Sequence, residues 1–360
     1  MKAAIFSRMG ENPTVGEIPD PVAQAGDVVV DVVAAPVLPY AHEVFAGKRP
    51  MLFELPFVPG TGAVGRVSDV GAGATELEIG CWVYCDSTIR ARDSAGLVAI
   101  SLQGLTAGRP SAVALQRQYR HGSWAEKVRL PLENVMPLGD IDADDAARWL
   151  ALGTMLVPYG GMASVGLIAG ETIVVNGATG SFGSAAVAVA LAMGAARVVA
   201  TGRNAAVLET LSHRYGGRVR TAAMTGDADA DTATIHAAAA APIDVVFDVL
   251  PPQATVAQVM AAVRAVRPGG RVSLMGGVGM AASGGDLSLP YAWMVRNNIT
   301  VKGQWMYPRD AITRLIALVK GGLLDLTRYE VTEFPLAAID DAIIHAARTS
   351  GPFNRTVLRF

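Results

Sequence analysis

The segment IVVNGATGSFGSAAVAVALAMGAARVVATGRN, residues 173–204, sets three glycines within seven residues between two short apolar runs. Thr172–Asn176 reads as a strand buried on both faces, about Ser184–Met193 as an alanine-rich helix, and Arg197–Thr201 as a second buried strand. Strand, turn, helix and strand fill about 30 residues, the length of one βαβ unit. Such a unit needs a parallel sheet covered by helices, so this stretch commits much of the chain to an α/β fold.

From Ala146 onward the same alternation continues through IDVVFDVL, RVSLMGG and ITVKGQ, which predicts a doubly wound parallel sheet. The first 140 residues read differently. DVVVDVVAA (27–35), GAVGRVSDVG (62–71), CWVYC and WAEKVRL are short strand-like runs broken by Gly or Pro every 8–15 residues, which predicts a barrel or sandwich. Arg90–Tyr119 has weak periodicity and reads as an excursion or lobe. After Gly303 the pattern is helix, strand, helix, strand, and the tail RTVLRF reads as a strand returning to the first domain. At 360 residues two domains are expected. The reading assigns 1–150 with 304–360 to a discontinuous first domain and 151–303 to the second.

A net charge of −2 gives no reason to expect nucleic acid or an anionic membrane as partner. The longest apolar run, Ala185–Met193, is well short of the roughly 20 residues that span a bilayer. The opening MKAAIFSRMGENP has no long apolar stretch, so no secretory signal is expected, and a cytoplasmic protein is the plain reading. Two cysteines, Cys81 and Cys85, make no disulfide framework. Spaced along one strand they are also too far apart to share a metal, so they read as inert thiols. The five histidines, among them His42 and His121, show no metal-ligand spacing.

The glycine turn fits A-x-G-x-x-G through Ala178, Gly180 and Gly183, with Thr179, Ser181 and Phe182 completing it. Glycines there let the backbone approach a pyrophosphate, whose charge the helix amides then meet. The helix end contributes about 0.3–1 kcal/mol toward an anion. An NAD-binding unit places Asp or Glu about 20 residues on, against the ribose 2′-hydroxyl. Here that position is Arg203, between Gly202 and Asn204, and no acidic residue occurs from Ala196 to Leu208. A guanidinium suits a 2′-phosphate, so NADP(H) is expected. Val249 and Leu250, and Gly276 and Gly277, follow later strands, where ligands of open α/β sheets bind.

GDVVVDVVAAPV, PFVPGTGAVGRV, HGSWAEKVRLP, GETIVVNGATGSFG, RPGGRVSLMGG and FPLAAIDDAI, in this order, resemble the medium-chain dehydrogenase/reductase superfamily over nearly the whole chain. The resemblance implies a GroES-like β-barrel domain joined to a Rossmann domain, with the active site in the cleft between them. It also implies a homodimer, paired through an edge strand that ITVKGQW (299–305) would supply. Many members carry a catalytic zinc, but its ligand positions correspond here to Leu38, to Thr61-Gly62 and to Gly153. None of these can bind it as the family's Cys and His do. The cysteines of a structural-zinc lobe are also missing, so no metal is expected.

The similarity is greatest to the zinc-free quinone oxidoreductases and enoyl reductases. Their N-x-x-D-x-Y segment reads APVLPY here, keeping Tyr40 while Ala35 and Leu38 replace the Asn and Asp. Tyr40 either donates a hydrogen bond to a carbonyl oxygen or walls the pocket with its ring. Thr61 is a second donor candidate. Tyr159, Trp124, Tyr291 and Trp293 are aromatic-wall candidates, although core packing is the stronger reading for each. A threonine common just before the Tyr159 position is replaced by Val157-Pro158. The resemblance thus implies a zinc-independent, NADPH-dependent reductase of a small apolar quinone or α,β-unsaturated carbonyl. A zinc-free alcohol dehydrogenase or ketone reductase, and a cofactor-binding protein without turnover, are the alternatives.

Overall fold

The computed structural model describes residues 1–93, 98–279, 285–349 and 351–360. Two compact units result: Met1–Gly153 with Leu326–Ser350 and Asn354–Phe360, and Thr154–Asp325 with Gly351–Phe353.

In the first unit, the valine-rich run forms an 11-residue strand, Asp27–Val37, whose residues are mostly buried. It pairs antiparallel with Ala63–Val70, with Lys127–Pro131 and with the returning tail Asn354–Arg359. The sheet continues through Trp82–Cys85 to Val135–Pro137 on one side and to Glu330–Pro335 on the other. The core packed against it holds Phe6, Val28, Val30, Phe57, Val83, Cys85, Trp124 and Leu130, all nearly inaccessible. The amphipathic helix Ile339–Arg348 adds Ile339, Ala342, Ile343 and Ala346 to that core, as the 3.6-residue period requires. The segment read as a lobe forms a small hairpin, Thr88–Arg90 with Ile100–Leu102, and a short helix, Val113–Gln118.

The second unit is built on six parallel strands ordered Val219–Ala223, Arg197–Gly202, Thr172–Asn176, Val245–Asp248, Arg271–Leu274 and Thr300–Gly303. The inner strands are buried on both faces, which is why they read as unbroken apolar runs rather than alternating ones. The order reverses between Thr172–Asn176 and Val245–Asp248, the crevice position at which open α/β sheets bind ligands. Thr300–Gly303 is an edge strand, as the family resemblance implied for 299–305.

The boundary near the C-terminal end differs from the sequence reading. Gln304–Asp325, including the helix Ala311–Lys320, packs with the second unit, so the division falls at 325/326 instead of 303/304. Local contact explains it: Gly160 is where the helix Leu152–Ser164 admits the Tyr307 backbone, and a Cβ there would lie 2.7 Å from Tyr307 Cα. Among the described residues, no helix is long and apolar enough to cross a membrane.

Candidate functional site

The glycine turn is built by two glycines with different jobs. Gly177 adopts φ +93°, a backbone conformation that side chains disfavour, and so allows the sharp exit from the strand. At Gly183 a Cβ would stand 2.0 Å from the Gly177 carbonyl oxygen, so the helix can seat against the turn only without one. The helix runs Ser181–Ala192, starting three residues earlier than its alanine pattern suggests, which puts Ser181, Phe182 and Gly183 in its first turn. Its N-cap, Gly180, offers no side-chain hydrogen bond. The next three crossover helices are all capped: Asn204 accepts from the Val207 amide, Asp227 from the Ala230 amide, and Thr255 forms a capping box with Gln258. Of these four helices, the one after the glycine turn is the one without a side-chain cap, and its leading amides are open to an external anion.

Around this turn the structure gathers most of the residues singled out from the sequence. The Ala178 amide donates to the Thr201 carbonyl at 2.8 Å. The Thr179 side chain lies over Gly202, where a Cβ would meet its methyl carbon at 2.3 Å. Arg203 is exposed, with no hydrogen bond or ion pair among the described residues, so its guanidinium is free for a ligand. Asn204 is committed to its cap.

Val249 and Leu250 leave the Val245–Asp248 strand half-buried, and the Leu250 carbonyl accepts from the Gly277 amide at 2.8 Å. A Cβ on Gly276 would lie 2.6 Å from Asp248 Oδ2. Beneath these loops a buried chain links three strands: Thr201 Oγ1 donates to Asn176 Oδ1 at 2.8 Å, and Asn176 Nδ2 donates to Asp248 Oδ1 at 2.8 Å. Burial raises the Asp248 carboxyl to about 7, against the opposing pull of hydrogen bonds from Asn176 and the Leu250 amide. Sequence patterning did not single out Asp248 or Asn176, although each ends an apolar strand and is a costly residue to bury there.

In the first unit a small apolar pocket is lined by residues including Leu38, Val44, Phe57, Thr61, Leu105 and Trp124. The Trp124 indole N–H is used by the Pro36 carbonyl at 2.9 Å, which leaves the Thr61 hydroxyl as the polar side-chain group in this lining without a partner among the described residues. Tyr40 is not part of the lining. Its ring carries the Arg49 guanidinium at 4.1 Å, and Arg49 is held in turn by Glu43 at 2.6 Å. Cys85 is buried, where desolvation pushes its thiol well above the usual range, and Cys81 is half-buried just before the strand. His121 Nδ1 accepts from the Val58 amide, and burial lowers its basicity. Among the described residues no three of His, Cys, Asp and Glu gather as metal ligands.

Of the aromatic-wall candidates, Tyr159 is buried, Trp293 packs against the core of the second unit, and Tyr291 is exposed. Beside the empty-handed positions Gly62 and Gly153 stands a residue not singled out from sequence, Tyr84. Its hydroxyl would lie 3.6 Å from a Cβ at Gly62 and 3.4 Å from one at Gly153.

A family model for the alcohol dehydrogenase GroES-like domain matches residues 24–140, and one for zinc-binding dehydrogenase matches 182–321. An acryloyl-coenzyme A reductase of Metallosphaera sedula is 30% identical over 199 residues, covering 55% of this chain and 58% of that protein. An alcohol dehydrogenase of Moraxella sp. (strain TAE123) is 28% identical over 205 residues, covering 54% and 56%. The match thus spans little more than half the length of these curated relatives. The alcohol dehydrogenase TADH from Thermus sp. ATN1 superposes with a TM-score of 0.80 at 23% identity, over 100% of this chain and 99% of that one. The 2R,3R-butanediol dehydrogenase from Bacillus subtilis gives 0.79 at 19%, over 100% and 99%. Sheet topology and glycine turn define a GroES-like unit and a Rossmann unit, and the chain belongs to the medium-chain dehydrogenase/reductase superfamily.

Proposed function

We propose that this protein is an NADPH-dependent oxidoreductase that works without zinc and reduces a small apolar quinone or α,β-unsaturated carbonyl compound. The observation that carries the reading is the uncapped helix at Gly180, followed one strand later by the free Arg203 guanidinium. The open amides of Ser181–Gly183 suit a pyrophosphate, and Arg203 suits a 2′-phosphate through charge-assisted hydrogen bonds. When bound, the nicotinamide supplies hydride. The chain's own part is to orient the acceptor, shield it in an apolar pocket and stabilise the charge that develops on its oxygen.

Leu38, Thr61-Gly62 and Gly153 at the ligand positions support zinc independence, since a catalytic zinc needs three protein ligands. Purified protein should contain no stoichiometric zinc by elemental analysis; one zinc per chain would overturn this part of the reading. A ketone reductase is the second reading, favoured by the relatives named alcohol dehydrogenase. A panel of quinones, enones, enoyl thioesters and ketones separates the two by which bond is reduced.

NADPH should bind more tightly than NADH. Arg203→Ala should weaken NADPH roughly 10- to 100-fold, the loss of one charged hydrogen-bonding group, while leaving NADH unchanged. Calorimetric titration checks this, and equal wild-type affinities would remove the argument. A homodimer is also proposed, joined along the Thr300–Gly303 edge strand. Nearby residues in sequence, Tyr291, Val295 and Trp305, present large exposed apolar surface.

A further inference from the structure

On the strand Trp82–Cys85 side chains alternate, and Val83 and Cys85 enter the core of the first unit. Trp82 and Tyr84 therefore lie on the opposite face. Trp82 is stacked by the Arg66 guanidinium at 4.2 Å. Tyr84 is only 4% exposed, yet its hydroxyl has no hydrogen-bond partner among the described residues. Buried tyrosines ordinarily find a partner for the hydroxyl within the protein, and this one leaves its donor to an outside acceptor. Gly62 and Gly153, neither with a side chain, flank this hydroxyl, and Gly153 is solvent-exposed. An oxygen arriving from the Gly153 side would meet no side chain of that residue.

We propose that the Tyr84 hydroxyl is the hydrogen-bond donor to the carbonyl oxygen of the substrate. The assignment rests on the reading above that the acceptor contains a carbonyl group. Two other hydroxyls fit less well. The Tyr40 ring is covered by Arg49, and Thr61 carries an aliphatic alcohol, a weaker acid than a phenol and so a weaker donor to a growing negative charge. Burial, together with the charges of Asp86 and Cys85, raises the Tyr84 phenol above its ordinary range, so it remains protonated across neutral pH.

For a conjugated acceptor the β-carbon receives the hydride supplied by reduced NADPH. The C=C electron pair shifts through the conjugated system, leaving an enolate oxygen facing Tyr84. The α-carbon then takes a proton from water, which gives the saturated carbonyl product. Tyr84 keeps its own proton throughout; the substrate is reduced and the cofactor oxidised by two electrons.

The test uses 2-cyclohexen-1-one with the full-length protein in two states. With NADPH bound, turnover is measured. With NADP⁺ bound, where no hydride is available, the enone C=O stretch is recorded by infrared difference spectroscopy. Tyr84→Phe should lower kcat about 100-fold, the loss typical of a single oxyanion donor, and should move the bound C=O band to higher frequency. NADPH affinity should stay within about twofold of wild type. Gly153→Val, at an exposed helical position where a Cβ meets only the Tyr84 hydroxyl, at 3.4 Å, should cover the phenol and give the same pattern.

A kcat within about threefold of wild type, with an unmoved band, overturns the assignment. Absence of wild-type turnover with a band that still differs between wild type and Tyr84→Phe overturns the reductase reading but supports Tyr84 as the carbonyl contact. Absence of both overturns both.

Discussion

Gly183→Ala should destabilise the protein by about 3 kcal/mol or more and abolish nicotinamide-cofactor binding, although it adds one methyl group. That methyl would stand 2.0 Å from the Gly177 oxygen and 2.7 Å from Ala178 Cα, both backbone atoms that cannot swing aside. Relief requires the helix Ser181–Ala192 to move off the sheet, which displaces its open amides. A thermal melt of the second unit should fall by roughly 6–12 °C. Gly180→Ala is the informative contrast, because a Cβ there meets only the Gly177 oxygen at 3.7 Å. It should cost about 1 kcal/mol or less in stability, an N-cap effect, while still weakening cofactor binding through the methyl it presents to the ligand. Equal melting losses in the two variants would contradict this division of labour.

Asp248→Asn should flatten the protein's stability between pH 5 and 8. The wild-type carboxyl titrates near 7 in the folded chain and near its ordinary 3.8 when unfolded. Between those values the folded state holds a proton that the unfolded state has released. Wild-type stability therefore falls as pH rises through this window, with a limiting slope of about 1.4 kcal/mol per pH unit, and levels off above 7. Asparagine is neutral at every pH and retains an oxygen to accept from Asn176 Nδ2 and the Leu250 amide. The variant should melt at a nearly constant temperature over the window and above wild type at pH 8. Melts at constant ionic strength measure it, and parallel pH profiles for the two proteins would assign the titration to another group.

The βαβ unit was legible because its signals are local. Strand, glycines and helix lie within one stretch, and Thr172–Asn176 is a strand at the residues the pattern names. The amphipathic period of Ala311–Lys320 likewise declared a helix. It could not declare which unit the apolar face would join, because the deciding contact, Tyr307 on Gly160, is long-range. Tyr84 was missed for the same reason. CWVYC shows a strand and even its alternation, but the neighbours of the phenol are glycines at 62 and 153, which only the fold brings together. Tyr40 drew attention through a motif, whereas its environment is set by Arg49, nine residues on and outside that motif. Sequence spacing names chemical groups well, but it does not say which of them has already found a partner.

The Ser184 hydroxyl, one turn into the helix after the glycine motif, donates to the Pro352 carbonyl at 2.7 Å, across a separation of 168 residues. On a ribosome adding about 5–20 residues per second, that acceptor is synthesised roughly 8–34 s after the donor. The turn, its helix and the parallel strands beside it can assemble meanwhile, since their own contacts lie far closer in sequence. The last fastening of the helix is thus a late event of biosynthesis, placed beside the segment with the most local folding code in the chain.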